Sequence, residues 1–414
     1  MKKSIAVIGG GIAGLASALE LLRAGYDVTV IEAARRFGGR INTLHEGGLT
    51  LELGAEFLHG QSAPLQSVLH QAGLSSQQIS EENEVFENGQ FRHVDVWDEM
   101  LKIIQLINPA ETDCSFAEFL ETNMVLEDNR RMAEAFVKGF HAAPPERISA
   151  HSLRRAEYAA EHMADPAQSR LDAGYMALVD FFVKQIQMQG GKLLAVAPVS
   201  RIHWQRGRVE IQIEGKDAPL IADGAIVTVS LGVLKAGVIE FDPPLGEKTE
   251  AIAQLQFGRV VKIILRFREP CWPEFAFIQA WDEAFPTWWT DPRGPVLVAW
   301  AGGPMADKLI GLAPPQLEAL ALATLQKLFP KQAGALRDNF QSSYYHDWTN
   351  DPFIRGAYSY LPVGGLDLPK LLAAPVGETL FFAGEATVLD AQTGMVSEAY
   401  ETGLRAAREI LAVK

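Results

Sequence analysis

The feature that most restricts this chain lies in its first thirty-two residues. Ser4-Ile5-Ala6-Val7-Ile8 is a short apolar run suited to a buried parallel strand, and residues 12–24 carry apolar side chains at helical spacing without proline. Between them stands Gly9-Gly10-Gly11-Ile12-Ala13-Gly14. In such a GxGxxG turn the first glycine makes the bend, the second lets backbone approach a pyrophosphate, and the third lets the helix pack on the strand. Tyr26-Asp27-Val28-Thr29-Val30-Ile31 predicts a second strand, and Glu32 closes it eighteen residues after Gly14, placed to accept from ribose hydroxyls and to disfavour a 2′-phosphate. The expected dinucleotide contacts are Gly9, Gly11, Ala13, Gly14, Glu32 and Ala33. Further on, in Arg35-Arg36-Phe37-Gly38-Gly39-Arg40, Gly39 permits close passage of a phosphate and Arg40 offers a charge-assisted contact to it. The glycine motif alone does not separate NAD from FAD.

Composition narrows the class of partner. The 414 residues are 48% hydrophobic and 21% charged, which excludes disorder and allows more than one core. A net charge of −14 argues against a nucleic-acid partner and favours a cationic ligand. Cys114 and Cys271 form no CxxC pair, so neither a zinc cluster nor a disulfide framework is expected. Met1-Lys2-Lys3 and the uncharged run behind it imitate a secretory signal, but cleavage after Ala18 would remove the glycine motif. No segment reaches the eighteen apolar residues of a membrane span. A soluble, cytoplasmic protein is expected.

Beyond residue 60, several segments join the glycine motif: Leu53-Gly54-Ala55-Glu56-Phe57-Leu58-His59-Gly60, the stretch 227–235, Lys262 in Gly258-Arg259-Val260-Val261-Lys262, the stretch 348–358, and Phe382-Ala383-Gly384-Glu385-Ala386-Thr387. In this order and spacing the chain resembles the flavin-containing amine oxidase family, which includes monoamine oxidases, polyamine oxidases and histone lysine demethylases. The resemblance implies an α/β fold: a Rossmann-type FAD-binding domain built from discontinuous segments, with an inserted α+β substrate-binding domain. We place the FAD domain at 1–62, 188–265 and 352–414 and the substrate domain at 63–187 and 266–351. The texture agrees, since 63–187 is rich in helical patterns such as 130–140 and 175–189, whereas 192–213 and 225–229 alternate like strands. Strands are also expected at 263–267 and 296–300, and helices at 316–329 and about 394–411.

The resemblance also implies roles. Lys262 matches the lysine that holds a water against flavin N5, and it interrupts an apolar run, as a buried ammonium would. Tyr358 matches one wall of an aromatic cage before the flavin, and Trp348 a tryptophan at its edge. Met395 falls where monoamine oxidases carry the second cage tyrosine, and Ala357 where they carry the cysteine that attaches FAD, so noncovalent FAD is expected. His59 matches a histidine at the mouth of the site, able to anchor substrate or relay a proton, or else merely closes a turn. Gly54, Ala55, Glu56 and Phe57 are expected beside the flavin, Glu56 through its backbone. Val199 matches a backbone partner of adenine, and Gly384, Glu385, Met395 and Val396 are expected around the ribityl and pyrimidine end. Trp288 and Trp289 line the substrate cavity or belong to the core. The implied reaction is hydride transfer from a small amine to N5, giving an imine, with reoxidation by O2 to hydrogen peroxide. An L-amino-acid oxidase, needing an arginine such as Arg355 for the carboxylate, and a desaturase or isomerase remain open.

Overall fold

The computed structural model describes residues 2–60, 62–161, 167–389 and 393–413. Among these, five parallel strands form one sheet in the order Lys192–Leu194, Asp27–Ile31, Ser4–Ile8, Gly224–Val227 and Leu380–Phe382. Their apolar runs are buried on both faces, as parallel strands sandwiched between layers must be. On one face lie the helices Ile12–Arg23, Met176–Met188 and Val396–Ala412, closing a core around Leu15, Leu19, Phe182 and Ala406. The approach of the first and last of these helices is very close: a Cβ on Gly403 would lie 2.2 Å from the Ala13 carbonyl oxygen. The other face is covered by an antiparallel meander, Val199–Gln205, Arg208–Ile213 and Leu220–Ala222, and by the short helices Leu231–Lys235 and Glu247–Gln254.

Among the described residues a second, seven-stranded sheet runs Phe340–Tyr345, Val260–Phe267, Val296–Gly302, Thr287–Asp291, Phe277–Gln279, Asn83–Glu87 and Gln90–His93. Alternation splits its faces. Val261, Ile263, Leu265, Leu297 and Ala299 pack beneath the helix Pro314–Leu328, whereas Lys262, Ile264, Val298 and Trp300 point to the opposite side. The helices Val96–Gln105, Phe116–Thr122, Glu127–Phe140 and Ala150–Glu161 build a further core over that side of the molecule.

The expected helices 130–140, 175–189, 316–329 and 394–411 are present, with bounds shifted to Glu127–Phe140, Met176–Met188, Pro314–Leu328 and Val396–Ala412. Pro314 and Pro315 occupy the first turn, where a missing N–H costs nothing. Residues 63–187 also hold strands that their helical texture did not announce: Ser76–Gln78, Asn83–Glu87, Gln90–His93 and Gln168–Leu171. The boundary expected at 265 falls inside Val260–Phe267, whose ladders on both sides run to strands of the second sheet. Among the described residues no helix is long and apolar enough to cross a membrane.

Candidate active site

A cavity of about 590 Å³ opens where the carboxyl ends of the parallel strands meet the Lys262 face of the second sheet. At the nucleotide end the backbone is shaped for a ligand. Gly9 sits at φ +109°, which a side chain would resist, and a Cβ on Gly11 would meet nothing within 4 Å, so the space above it is open. Gly14 does not reach the cavity; a Cβ there would lie 2.1 Å from the Gly9 carbonyl oxygen, so its absence is what lets the helix pack this closely, the packing role of the third glycine. Ala13 and Ala33 line the wall, and Glu32 receives the Gly10 and Ala34 amides, both at 2.7 Å. Burial raises the Glu32 pKa, opposed by those backbone donors. Val199 faces the same end.

The Gly38-Gly39 turn lies against the phosphate loop, tied by the Gly38 amide to the Gly10 carbonyl at 2.8 Å. Arg36 is spent on the turn itself, donating to the Ile41 and Gly39 carbonyls. Arg40 lines the cavity while one nitrogen donates to Ala357 O at 2.6 Å and to Glu385 Oε1 at 2.9 Å. The other Glu385 oxygen receives the Ser359 hydroxyl at 2.8 Å. Gly384, Glu385, Met395 and Val396 all face the cavity, the last two at the uncapped start of the helix Val396–Ala412.

The reacting end is assembled from both sheets. Gly54 fits because a Cβ would lie 1.9 Å from the Arg40 carbonyl oxygen and 2.9 Å from the Trp348 ring; Trp348 itself donates to Leu53 O at 2.9 Å. Ala55, Glu56, Phe57, His59, Trp348, Tyr358 and Lys262 line this part. The Glu56 carboxylate is taken up by groups of the protein itself, receiving Lys262 Nζ at 2.6 Å, Arg170 Nε at 2.7 Å and Trp289 Nε1 at 3.0 Å. Complete burial works against its charge, yet Lys262 and Arg170 prevail and hold it down to about 2. Lys262 also donates to Gly54 O at 3.3 Å and stands 5.5 Å from the Trp289 ring centre.

Tyr358 is oriented by its hydroxyl, which donates to Phe140 O at 2.8 Å; burial raises its pKa, so the phenol stays neutral. Met395 lies where a second aromatic wall was in question, and Trp300 joins Tyr358 and Trp348 in one cluster instead. His59 packs edge-on against Phe57 and Phe140, and burial lowers its pKa to about 4. This shift favours the neutral imidazole at neutral pH. Trp289 lines the cavity, whereas Trp288 belongs to the core beneath it, its Nε1 donating to Phe285 O. Arg355 is exposed and donates to Pro352 O, while Lys262 and Arg170 are both paired with Glu56, so an α-carboxylate finds no buried cation free among these three.

Sequence reading missed Arg170, on a four-residue strand without alternation, and the lobe formed by Asn83, Trp97, Phe136, Phe140, Gln279 and Thr287. One signal was available for Asn83: Asn88-Gly89 sits between Glu87 and Gln90 at φ 51° and 77°, the two-residue turn that marks a hairpin.

The sequence matches the family model described as flavin containing amine oxidoreductase over residues 12–128 and 110–411. The chain belongs to that family. It is accordingly an enzyme of flavin-dependent amine oxidation. Polyamine oxidase 3 of Oryza sativa subsp. japonica is 29% identical over 98% of this chain and 88% of its own length. Lysine-specific histone demethylase 1 homolog 2 of Arabidopsis thaliana is likewise 29% identical, over 99% of this chain but 58% of its own length. Among solved structures, putrescine oxidase bound to putrescine superposes with a TM-score of 0.83 at 22% identity, covering 100% of this chain and 99% of the other. Cyclohexylamine oxidase from Brevibacterium oxydans IH-35A gives 0.83 at 21%, covering 99% of each. At such identities the two structures speak for the fold.

Proposed function

We propose that this enzyme holds FAD noncovalently, oxidises a small amine to the imine, and uses O2 as the final acceptor, releasing hydrogen peroxide. The single observation that carries this is Lys262, a buried ammonium paired with Glu56 and presented beside Tyr358 and Trp300 in a chamber continuous with a dinucleotide-shaped groove. Open space above Gly11 and the positive φ of Gly9 fit a pyrophosphate, and Glu32 fits the adjoining ribose. With Ala357 at the position of the attaching cysteine, no thiol is offered there.

Bound flavin would supply the two-electron acceptor at its N5 position. The chain's own residues then have distinct tasks. Tyr358, fixed by its hydroxyl, turns a ring toward the cavity that attracts an alkylammonium by about 0.5–2 kcal/mol. Lys262 holds donor hydrogens and positive charge at the reacting end, with Glu56 and Gly54 O fixing where its Nζ sits. Aromatic walls exclude water while the amine gives up a hydride from its α-carbon and a proton from its nitrogen; the imine then hydrolyses to a carbonyl compound. We assign the cofactor chiefly to residues 1–62, 188–259 and 352–414, with Val260–Phe267 counted to the second sheet, while the amine meets side chains from both parts, Tyr358 and Lys262 among them.

The test is a visible spectrum of the purified protein followed by anaerobic amines. Bleaching near ~450 nm, expected of an oxidised flavin, that air reverses with peroxide release, is the expected result. A flavin that no amine bleaches, or that remains with acid-precipitated protein, would overturn the oxidase reading or the noncovalent attachment respectively.

A further inference from the structure

The floor of the chamber is one face of the seven-stranded sheet, and its register sets a row across it. Lys262 stands opposite Trp300, Trp300 opposite Thr287, and Thr287 opposite Gln279, each pair on adjacent strands. Directly opposed residues point to the same side, and all four line the cavity. Three interstrand spacings of about 4.8 Å put Gln279 about 14 Å from Lys262 along the row. Trp289 and Phe277, two residues along their strands, pave the ground beside it.

The far end of this row has a chemistry of its own. Thr287 Oγ1 donates to Gln279 Oε1 at 3.0 Å, Gln279 Nε2 donates to Asn83 Oδ1 at 2.9 Å, and Asn83 Nδ2 donates to Glu81 O at 2.8 Å. Each amide nitrogen has two hydrogens and this chain uses one, so Gln279 and Asn83 each keep a donor at the cavity wall. Every group in the relay is neutral. The carboxylates that reach the cavity are committed elsewhere: Glu56 to Lys262 and Arg170, Glu385 to Arg40, Glu32 to backbone amides, while Glu214 follows the meander strand at the Val199 end. Among the described residues, then, no carboxylate faces the far end. A second ammonium brought there would lose its hydration without gaining a counter-charge, a cost of several kcal/mol. A hydroxyl or carbonyl on an aromatic body would instead find stacking surfaces and a ready partner.

We propose that the substrate is a monoamine with an aromatic body and one neutral hydrogen-bonding group at its distal end, read by Gln279, Asn83 and Thr287, and that diamines and polyamines are rejected. This rests on the amine oxidase reading above.

The experiment uses the flavin-loaded enzyme and anaerobic reduction rates with four probes: 4-hydroxyphenethylamine, phenethylamine, putrescine and spermidine. The hydroxylated amine should exceed its deoxy analogue by about 10-fold or more, the range in which a missed hydrogen bond is read, and both diamine and polyamine should trail it by about 100-fold or more. Gln279→Leu should bring the first ratio to within about two-fold by slowing the hydroxylated amine alone. Thr287→Val, which exchanges the hydroxyl for a methyl group of similar size, should shrink it too and serves if the first variant loses its flavin. A readout without turnover is available: 4-ethylphenol should perturb the flavin band of the wild type and do so far more weakly in Gln279→Leu. Putrescine or spermidine reducing the flavin as fast as the aromatic amines, or a ratio unmoved in both variants, overturns the substrate assignment and leaves the oxidase intact. A flavin that none of the four reduces, nor any other amine, removes the oxidase reading and the assignment with it.

Discussion

Glu56 receives three donors inside the protein, and its removal has unequal consequences for its partners. Glu56→Gln leaves two buried cations without an anion, and breaking a buried pair in this way costs about 3–5 kcal/mol. Lys262→Met keeps the Glu56–Arg170 pair, so it should disturb stability much less while lowering kcat/KM by roughly 100-fold to 1,000-fold, the scale of losing one preorganised charge or donor. Denaturant melts and steady-state rates on both variants would check this; equal destabilisation with unchanged rates would remove Lys262 from the reaction. At this scale the sequence was partly transparent. Lys262 announced itself by interrupting an apolar strand, and Tyr358 and Trp348 by the family pattern. Arg170 and Gln279 could not, because a single polar residue on a short strand looks the same whether its side chain meets solvent or a buried carboxylate.

Elements were legible where periodicity is long and obscure where strands are short. The parallel strands and the long helices stand out because their apolar runs serve a core on a fixed period. The strand Gln168–Leu171 has no such run, and it pairs with Phe57–His59 more than a hundred residues away, a relation set by tertiary packing rather than by local pattern. Two glycines separate cofactor space from packing at this scale. Gly11 has an extended backbone, φ −73° and ψ 177°, and open space about it, so Gly11→Ala should leave the melting temperature of flavin-free protein within about 1 °C while weakening FAD affinity about 10-fold or more, as one lost close backbone approach would. Gly403→Val should lower the melting temperature of flavin-free protein by several degrees, since overpacking between the first and last helices costs about 1–3 kcal/mol. Titration of stripped protein with FAD and thermal melts distinguish the two; matching behaviour would mean the groove above Gly11 is not where the dinucleotide lies.

For the molecule as a whole, buried titratable groups shape the pH dependence of stability. Burial lowers His59 and His141 to about 4, so between pH 4 and about 6.5 the unfolded chain binds protons that the folded one refuses. Their contribution is complete above that window and is lost as the pH falls through it. Glu52 acts in the other direction. Burial, opposed by the Thr43 hydroxyl and the Tyr175 amide, raises it to about 7, so the folded state keeps a proton that the unfolded chain sheds near 4.5, and stability falls as the pH rises toward 7. Glu52→Gln should therefore gain on the wild type with rising pH and level off above pH 7, by at most on the order of 3 kcal/mol. Melting curves from pH 4 to 8 would show it, and parallel curves would mean that Glu52 titrates normally.

The cavity of about 590 Å³ lies between two sheet systems, with walls drawn from both. A ligand filling it touches both at once and exists only for the folded chain, so it adds RT ln(1 + [L]/Kd) to the free energy of unfolding. A noncovalently held flavin, as proposed above, would be a keystone as well as a reagent. In a cell short of the vitamin from which FAD is made, newly synthesised chains would stay longer in the weaker, hollow state that proteases sample, and the amount of this enzyme would follow nutrition before its gene responded.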